Sequence, residues 1–271
     1  LAEFKTKTAA QRQTAIRKTE QGYVINGEKF YCTGSLFAHR IPTLVVDESE
    51  QQFLAFVPRD SEGLTLIDDW SGFGQRTTGS GTVKFDNVPV LEEDVVHFDT
   101  AYSRPTISGP FAQLLHASIE TGIARAAFEE TLNRVRQARP WIDSGVDKAT
   151  DDPLTKFELG RVVADVRASE VLLKQAAYAV DAAKANPTET SIAKASLDVA
   201  KARAHSTETA LKASSKLIEL AGSRGSQRED GLDRFWRNAR VHTLHDASRW
   251  KYYFIANYLL NGVLPPRRGT L

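Results

Sequence analysis

The chain has 271 residues, 41% of them hydrophobic, which suffices for one large or two ordinary domains. Lys and Arg total 35 against 34 for Asp and Glu, and this balance argues against nucleic acid as the main partner, since nucleic-acid-binding domains carry a basic excess. No apolar run approaches the ~18 residues of a membrane span. The single cysteine, Cys32, excludes an internal disulfide, so we expect a cytoplasmic protein.

The first hundred residues have the pattern of β-strands. Short apolar runs alternate with turn residues, as in an antiparallel sandwich or barrel. Asn26-Gly27 is a strong hairpin signal, which predicts one strand ending at Ile25 and another beginning at Lys29. The predicted strands span residues 14–19, 23–25, 29–33, 43–46, 53–57 and 81–85.

Beyond about residue 100 the apolar spacing becomes helical. Asp152-Pro153 is typical of a helix cap followed by proline in the first turn, and Gly222 is typical of a helix end. Three long helices and two short ones predict a bundle. The helices are predicted at residues 109–139, 153–185, 190–221, 231–242 and 247–260. We therefore predict a β domain at 1–100 and a C-terminal helical bundle at 101–271, an α+β fold.

Two of the six histidines, His242 and His245, are three residues apart and would share one face of a helix. Two imidazoles on one face can donate protons, anchor hydrogen bonds or bind a metal. The alternative is a helix end whose basic residues suit the negative pole of the helix dipole. No metal site is predicted, because no Cys cluster or His-Glu-x-x-His pattern supplies further ligands. The other four stand alone in the sequence: His39, His97, His116 and His205.

A small β domain followed by a helical bundle resembles the middle and C-terminal domains of the acyl-CoA dehydrogenase superfamily. The resemblance covers nearly the whole chain, and we expect the helical N-terminal domain of that family to be missing. The motifs are most similar to the flavin-dependent monooxygenase branch, which is typified by dibenzothiophene monooxygenase and sulfur-acquisition enzymes. The matching segments are residues 26–34, 68–70, 74–77, 137–141, 221–225, 235–240, 242–246 and 260–262.

One substitution separates two chemistries within the superfamily. Many acyl-CoA dehydrogenases abstract an α-proton with the Glu of a Tyr-Glu-Gly-Thr segment, and here that segment reads His245-Asp246-Ala247-Ser248. A carboxylate moved back by one methylene is poorly placed for the same abstraction. The resemblance therefore implies a monooxygenase. An FAD-dependent acyl-CoA dehydrogenase and a non-catalytic binding or assembly member of the fold are the alternatives.

The resemblance also assigns roles to residues of the β domain. Tyr31, Thr33 and Trp70 would lie beside the flavin ring, with the Thr33 hydroxyl near its reactive N5 and C4a positions. The alternatives are a strand-end threonine and a Trp that covers the edge of the core. Cys32 is expected to be a small buried residue, on the opposite face of the strand from its neighbours.

In the helical domain the resemblance implies a phosphate site and a proton donor. Arg139 and the Gly222-Ser223-Arg224 turn would hold the flavin phosphate, since a guanidinium and glycine-flanked amides suit its oxygens. A plain helix C-cap is the alternative for that turn. His245, with His242 second, would stabilise the C4a-hydroperoxide of the reduced flavin and move its proton.

The implied enzyme would use reduced FMN, with FAD as the alternative, and O₂ to oxygenate a small organic substrate, with organosulfur compounds the leading class. A separate NAD(P)H:flavin reductase would supply the flavin, since no Gly-x-Gly-x-x-Gly signature for a nicotinamide site is present. The resemblance further implies a homotetramer.

Overall fold

The computed structural model describes residue 3 and residues 13–270. The chain divides into two compact units, which are Leu1–Gly72 with Arg76–Arg104, and Phe73–Gln75 with Pro105–Leu271. Within the described part of the chain, none of the helices combines the length and apolar character needed to cross a membrane.

The first unit is built on a seven-stranded sheet in the order β5-β6-β2-β1-β3-β4-β7. Neighbouring strands are antiparallel except β1 and β3, which run parallel, so the sheet is mixed rather than wholly antiparallel. The short strands β5 and β7 were not predicted. The strands are β1 (Ala15–Thr19), β2 (Gly22–Lys29), β3 (Arg40–Val46), β4 (Gln52–Pro58), β5 (Leu64–Ile67), β6 (Thr82–Val90) and β7 (Val95–His97).

The hairpin prediction at Asn26-Gly27 is wrong, because both residues lie inside β2. The turn that joins β1 to β2 is at Glu20-Gln21. Gly27 is required for a different reason: a Cβ there would lie 2.7 Å from the Thr14 Cα, so the glycine permits a close approach of two chain segments. The strand predicted at 29–33 also ends early, since β2 stops at Lys29.

A β-bulge explains the Asn26 signal. Ile25 pairs with Val88 and Gly27 with Phe85, so β6 contains one extra residue at this point. Asn87 adopts a positive φ of 51° there, and its backbone amide donates to the Asn26 Oδ1 at 2.8 Å. Strand β6 continues past the bulge to Val90, beyond the end predicted at residue 85.

One face of the sheet forms the core of the first unit, with Ile16, Ile25, Val57 and Val83 almost fully buried. Cys32 is buried with them, and this burial raises the pKa of its thiol. The expectation that Cys32 is buried is confirmed, but its expected place in a strand is wrong, because β2 ends at Lys29.

The second unit is a helical bundle, and each helix boundary lies within two residues of its prediction. Helix α3 packs against each of the other four helices and buries a row of alanines, which lets the helices approach closely. The β domain followed by a helical bundle is thus confirmed as the fold. The helices are α1 (Ser108–Gln137), α2 (Pro153–Ala185), α3 (Glu189–Leu220), α4 (Asp233–His242) and α5 (Arg249–Asn261).

Helix α3 begins with a capping box. The Thr188 Oγ1 accepts from the Ser191 backbone amide at 3.1 Å, and the Ser191 Oγ accepts from the Thr188 amide at 2.8 Å. Both bonds satisfy amides that have no partner within the helix.

We expect Thr188→Ala to lower the free energy of unfolding by about 1 kcal/mol, because it removes the side-chain acceptor of the cap. Urea denaturation monitored by circular dichroism measures this. Thr190→Ala is the matched control, since Thr190 is an equally exposed threonine two residues away. Equal unfolding midpoints for the two variants would contradict the role of the cap.

Candidate active site

Three imidazoles meet in the helical unit. Helix α4 ends at His242, so His245 lies in the following turn. The prediction that the two histidines share a helix face is therefore wrong. His116 of α1 brings them together. Its Nδ1 is 3.1 Å from the His242 Nε2, and its ring centroid is 4.0 Å from that of His245. His116 is therefore part of the cluster, although it stands alone in the sequence.

A buried ion pair lies against the imidazole cluster and contacts it through His242. Glu120 lies one helical turn after His116 on α1 and forms a salt bridge with Arg203 of α3, and both side chains are almost completely buried. The Glu120 Oε1 is 3.1 Å from the His242 Nδ1. The Ser206 and Thr207 hydroxyls donate to the other carboxylate oxygen at 3.0 and 2.8 Å. Each oxygen of the carboxylate is thus satisfied, as a buried charge requires.

The balance of forces keeps Glu120 ionised. Burial alone would raise its pKa, but the hydrogen bond to His242 and the charge of Arg203 outweigh burial and lower the pKa below its usual value.

A second buried ion pair lies on the other side of the imidazoles. Asp246 faces the Lys251 ammonium at 3.4 Å and accepts from the Gln113 amide at 2.9 Å. Its Oδ2 is 3.7 Å from the His245 Nδ1. Adjacent residues can face one another here because they lie in a turn rather than a helix. Burial opposes ionisation of Asp246, but contacts with His245 and Lys251 prevail and hold its pKa well below its usual range.

The cluster contains one uncharged ring and one accessible ring. Burial and the nearby His245 and Arg203 lower the pKa of His116 to about 4, so this ring is neutral at pH 7. His242 is buried, with both ring nitrogens in contact with partners. The His245 side chain is 55% exposed. The arrangement therefore presents a single imidazole to a ligand and surrounds it with fixed support.

The flavin-ring candidates of the first unit also lie close together. The Tyr31 ring packs edge-on against Trp70 at 5.5 Å, and Tyr31 has a left-handed φ of 56°. The Thr33 and Ser80 hydroxyls are 2.8 Å apart, and Ser80 continues to Thr78 at 2.6 Å. An aromatic pair beside a row of hydroxyls can pack against and hydrogen-bond a heterocyclic ring.

The phosphate candidates lie on the surface of the second unit. Gly222 follows α3 with a φ of 70°, and its amide donates to the Glu219 carbonyl, so it does end the helix. Ser223 and Arg224 lie in the exposed 3₁₀ turn after it. Arg139 is exposed just beyond α1. The interpretation of Gly222 as a helix end is correct. The guanidinium of Arg224 and the exposed backbone of the turn remain accessible to an anion.

Sequence reasoning missed His116, Glu120 and Arg203. The first two are four residues apart on a predicted helix, which places them on one face, and this spacing was the available signal. Arg203 gave a weaker signal, as a long charged residue in an alanine-rich helix. Within the described residues, no group of three or more His, Cys, Asp or Glu is placed to hold a metal ion.

We expect Arg203→Met to lower the free energy of unfolding at pH 7 by about 3–5 kcal/mol, because it leaves Glu120 buried without its cation. Arg125→Met is the control, since Arg125 forms an exposed pair with Glu129 on α1. Chemical denaturation at several pH values provides the measurement.

The pH dependence has a definite sign. Glu120 has a lowered pKa when folded, so its stabilisation is present above the ordinary value of 4.5 and is lost as the pH falls below it. The Arg203→Met variant should lose less stability over that range. An unchanged stability at pH 7 would contradict the structural role of the pair.

Comparison with known proteins identifies relatives of the chain. Residues 114–250 match the family model described as acyl-CoA dehydrogenase, C-terminal domain. The chain is 34% identical to a dibenzothiophene monooxygenase of Rhodococcus erythropolis, covering 93% of this chain and 64% of that protein. It is 27% identical to the probable FMNH₂-dependent monooxygenase SfnC of Pseudomonas putida, covering 93% and 66%.

The fold matches a solved structure over almost its full extent. FMN-bound TdsC from Paenibacillus sp. A11-2 superimposes with a TM-score of 0.93 at 29% identity, covering 99% of this chain and 72% of that one. The chain spans 64% of the length of the R. erythropolis relative. Since the family model covers half of the chain and the fold agrees, the chain belongs to the acyl-CoA dehydrogenase family through its C-terminal domain.

Proposed function

We propose that this protein is a two-component flavin-dependent monooxygenase that uses reduced FMN and O₂ to place one oxygen atom on a small organosulfur compound. The observation that carries the proposal is His245, an exposed imidazole held between Asp246 and His116. This imidazole and a short carboxylate stand where the resemblance places the glutamate base of a dehydrogenase. The relatives named as monooxygenases support the same chemistry.

The residues present suit a flavin. Tyr31 and Trp70 offer aromatic contact, and Thr33 offers a hydroxyl already linked to Ser80. The exposed turn at Arg224 offers a guanidinium for a phosphate. FMN is preferred to FAD because TdsC was solved with FMN bound and SfnC is named for FMNH₂. When bound in reduced form, the flavin supplies the two electrons that reduce O₂.

The side chains of this chain then have distinct tasks. His245 holds and releases a proton, with Asp246 beside its Nδ1 at 3.7 Å. His242 is buried, so it positions the other rings rather than touching a substrate. Thr33 would offer its hydroxyl to the polar edge of a bound flavin ring. Arg139 and the Gly222-Ser223-Arg224 turn would hold a flavin phosphate.

The partners follow from the same proposal. A separate NAD(P)H:flavin reductase supplies the reduced cofactor, because the sequence contains no nicotinamide-binding signature. Large apolar side chains exposed on α5, among them Trp250, Leu259 and Leu260, support association with other subunits, and the homotetramer itself rests on the resemblance. The single cysteine supports a cytoplasmic location.

We expect the protein to incorporate one ¹⁸O atom into dibenzothiophene when it is supplied with chemically reduced FMN and ¹⁸O₂. The second oxygen atom leaves as water, and FMN is released oxidised. Mass spectrometry of the sulfoxide gives the label, and a peroxidase assay gives the H₂O₂ released per flavin oxidised. Complete conversion of the flavin electrons to H₂O₂, with no labelled product from any organosulfur compound tested, would refute the proposal.

His245→Ala should retain FMN affinity but divert oxygen to H₂O₂, because the proton donor is lost while the flavin contacts remain. We expect the labelled product to fall by about tenfold or more. The typical contribution of general acid–base catalysis, ~10²–10⁴-fold, sets the upper limit of this loss. His39→Ala is the matched control, since His39 is an exposed histidine of the first unit. Equal coupling in the two variants would remove His245 from its role.

A further inference from the structure

Glu120, His242 and His116 form a continuous line of contacts that ends against His245, and we call these three residues the Glu120 chain. The line passes from Glu120 to the His242 Nδ1 at 3.1 Å, and from the His242 Nε2 to the His116 Nδ1 at 3.1 Å. The His116 ring then lies against the His245 ring at 4.0 Å. Helices α1 and α4 thus contribute alternate members, so the line depends on tertiary packing.

The ionised carboxylate fixes the protons along this line. Glu120 can only accept, so the hydrogen lies on the His242 Nδ1. In the tautomer that carries its single hydrogen on Nδ1, the His242 Nε2 accepts a hydrogen bond from the His116 Nδ1. This leaves the His116 Nε2 unprotonated and its ring orientation fixed.

The charges around His116 already cancel. The groups that face the cluster are Glu120 from α1, Arg203 from α3, Asp246 from the turn after α4 and Lys251 from α5. They form two oppositely charged pairs. A proton on His116 would add an uncompensated charge to a partly buried site beside Arg203 and His245. A proton on His245 is accessible to water and faces the carboxylate of Asp246.

We propose that the Glu120 chain is a positioning device that holds an uncharged His116 ring against His245, cancels the charge of Arg203, and so leaves His245 as the imidazole that exchanges a proton with solvent. Glu120 and His242 act through His116, and His116 acts through His245. The inference rests on the proposed function for the use of that proton. The existence of the chain itself can be tested without flavin or substrate.

Exchange of the imidazole C2 hydrogen for deuterium, followed by mass spectrometry, gives the titration midpoint of each histidine in the intact protein. In the wild type we expect His116 to titrate well below its ordinary pKa, in line with its value of about 4. In Glu120→Gln, Arg203 loses its counterion, so the His245 midpoint should fall by about half a pH unit or more. The midpoint of the pH profile for oxygen transfer to the substrate should fall by the same amount as the His245 midpoint.

The matched control is Glu129→Gln, which removes a carboxylate from an exposed pair on the same helix. It should move neither midpoint. A folded Glu120→Gln variant with the wild-type His245 midpoint would overturn the proposal, as would a wild-type His116 that titrates near 6.5.

A second pair of variants applies if Glu120→Gln does not fold. His116→Phe keeps an uncharged ring against His245, whereas His116→Lys places a permanent cation there. We expect the His245 midpoint to fall in the lysine variant and to stay within about 0.3 units in the phenylalanine variant. Equal midpoints in the two variants would overturn the inference. Failure of oxygen transfer in the wild type, with these shifts present, would count against the proposed function alone.

Discussion

A carboxylate withdrawn from water organises the helical unit. Moving such an ion into a protein interior costs several kcal/mol, and the cost is offset only when a cation and hydrogen bonds satisfy it. Glu120 obtains the cation from Arg203 and hydrogen bonds from Ser206, Thr207 and His242. These groups come from α1, α3 and α4, so the three helices must meet at one geometry for the charge to be tolerated.

The proposed catalytic part of the site depends on that constraint. Because Glu120 fixes His242 and His242 fixes His116, the exposed His245 meets a rigid, uncharged ring on one side. Asp246 lies on its other side, held by Lys251. A solvent-accessible imidazole between a carboxylate and a neutral ring can take up and release a proton. The same stretch carries a glutamate base in the dehydrogenases that the sequence resembles, so the proposed function places a different chemistry on the same scaffold.

Local signals in the sequence were enough for the helices and most strands. Helix boundaries follow signals such as Asp152-Pro153 and Gly222, whose effect is confined to one turn. Asn26-Gly27 was misread because the same dipeptide serves a hairpin or a bulge, and the partner strand decides between them. The contacts of His116 depend on how α1 and α4 pack, which no local pattern encodes. The residues predicted for the flavin remain predictions.

The state of Glu120 tests the account most directly. An infrared difference spectrum between the wild-type protein and Glu120→Gln, recorded between about pH 5 and 8, separates the two forms of this carboxyl group. The account predicts that the carboxylate stretch is lost in the variant and that no protonated-carboxyl C=O band disappears with it. A protonated-carboxyl band in the wild type at pH 7 that vanishes in the variant would show that Glu120 is neutral. The charge balance assigned to the imidazole cluster would then be wrong.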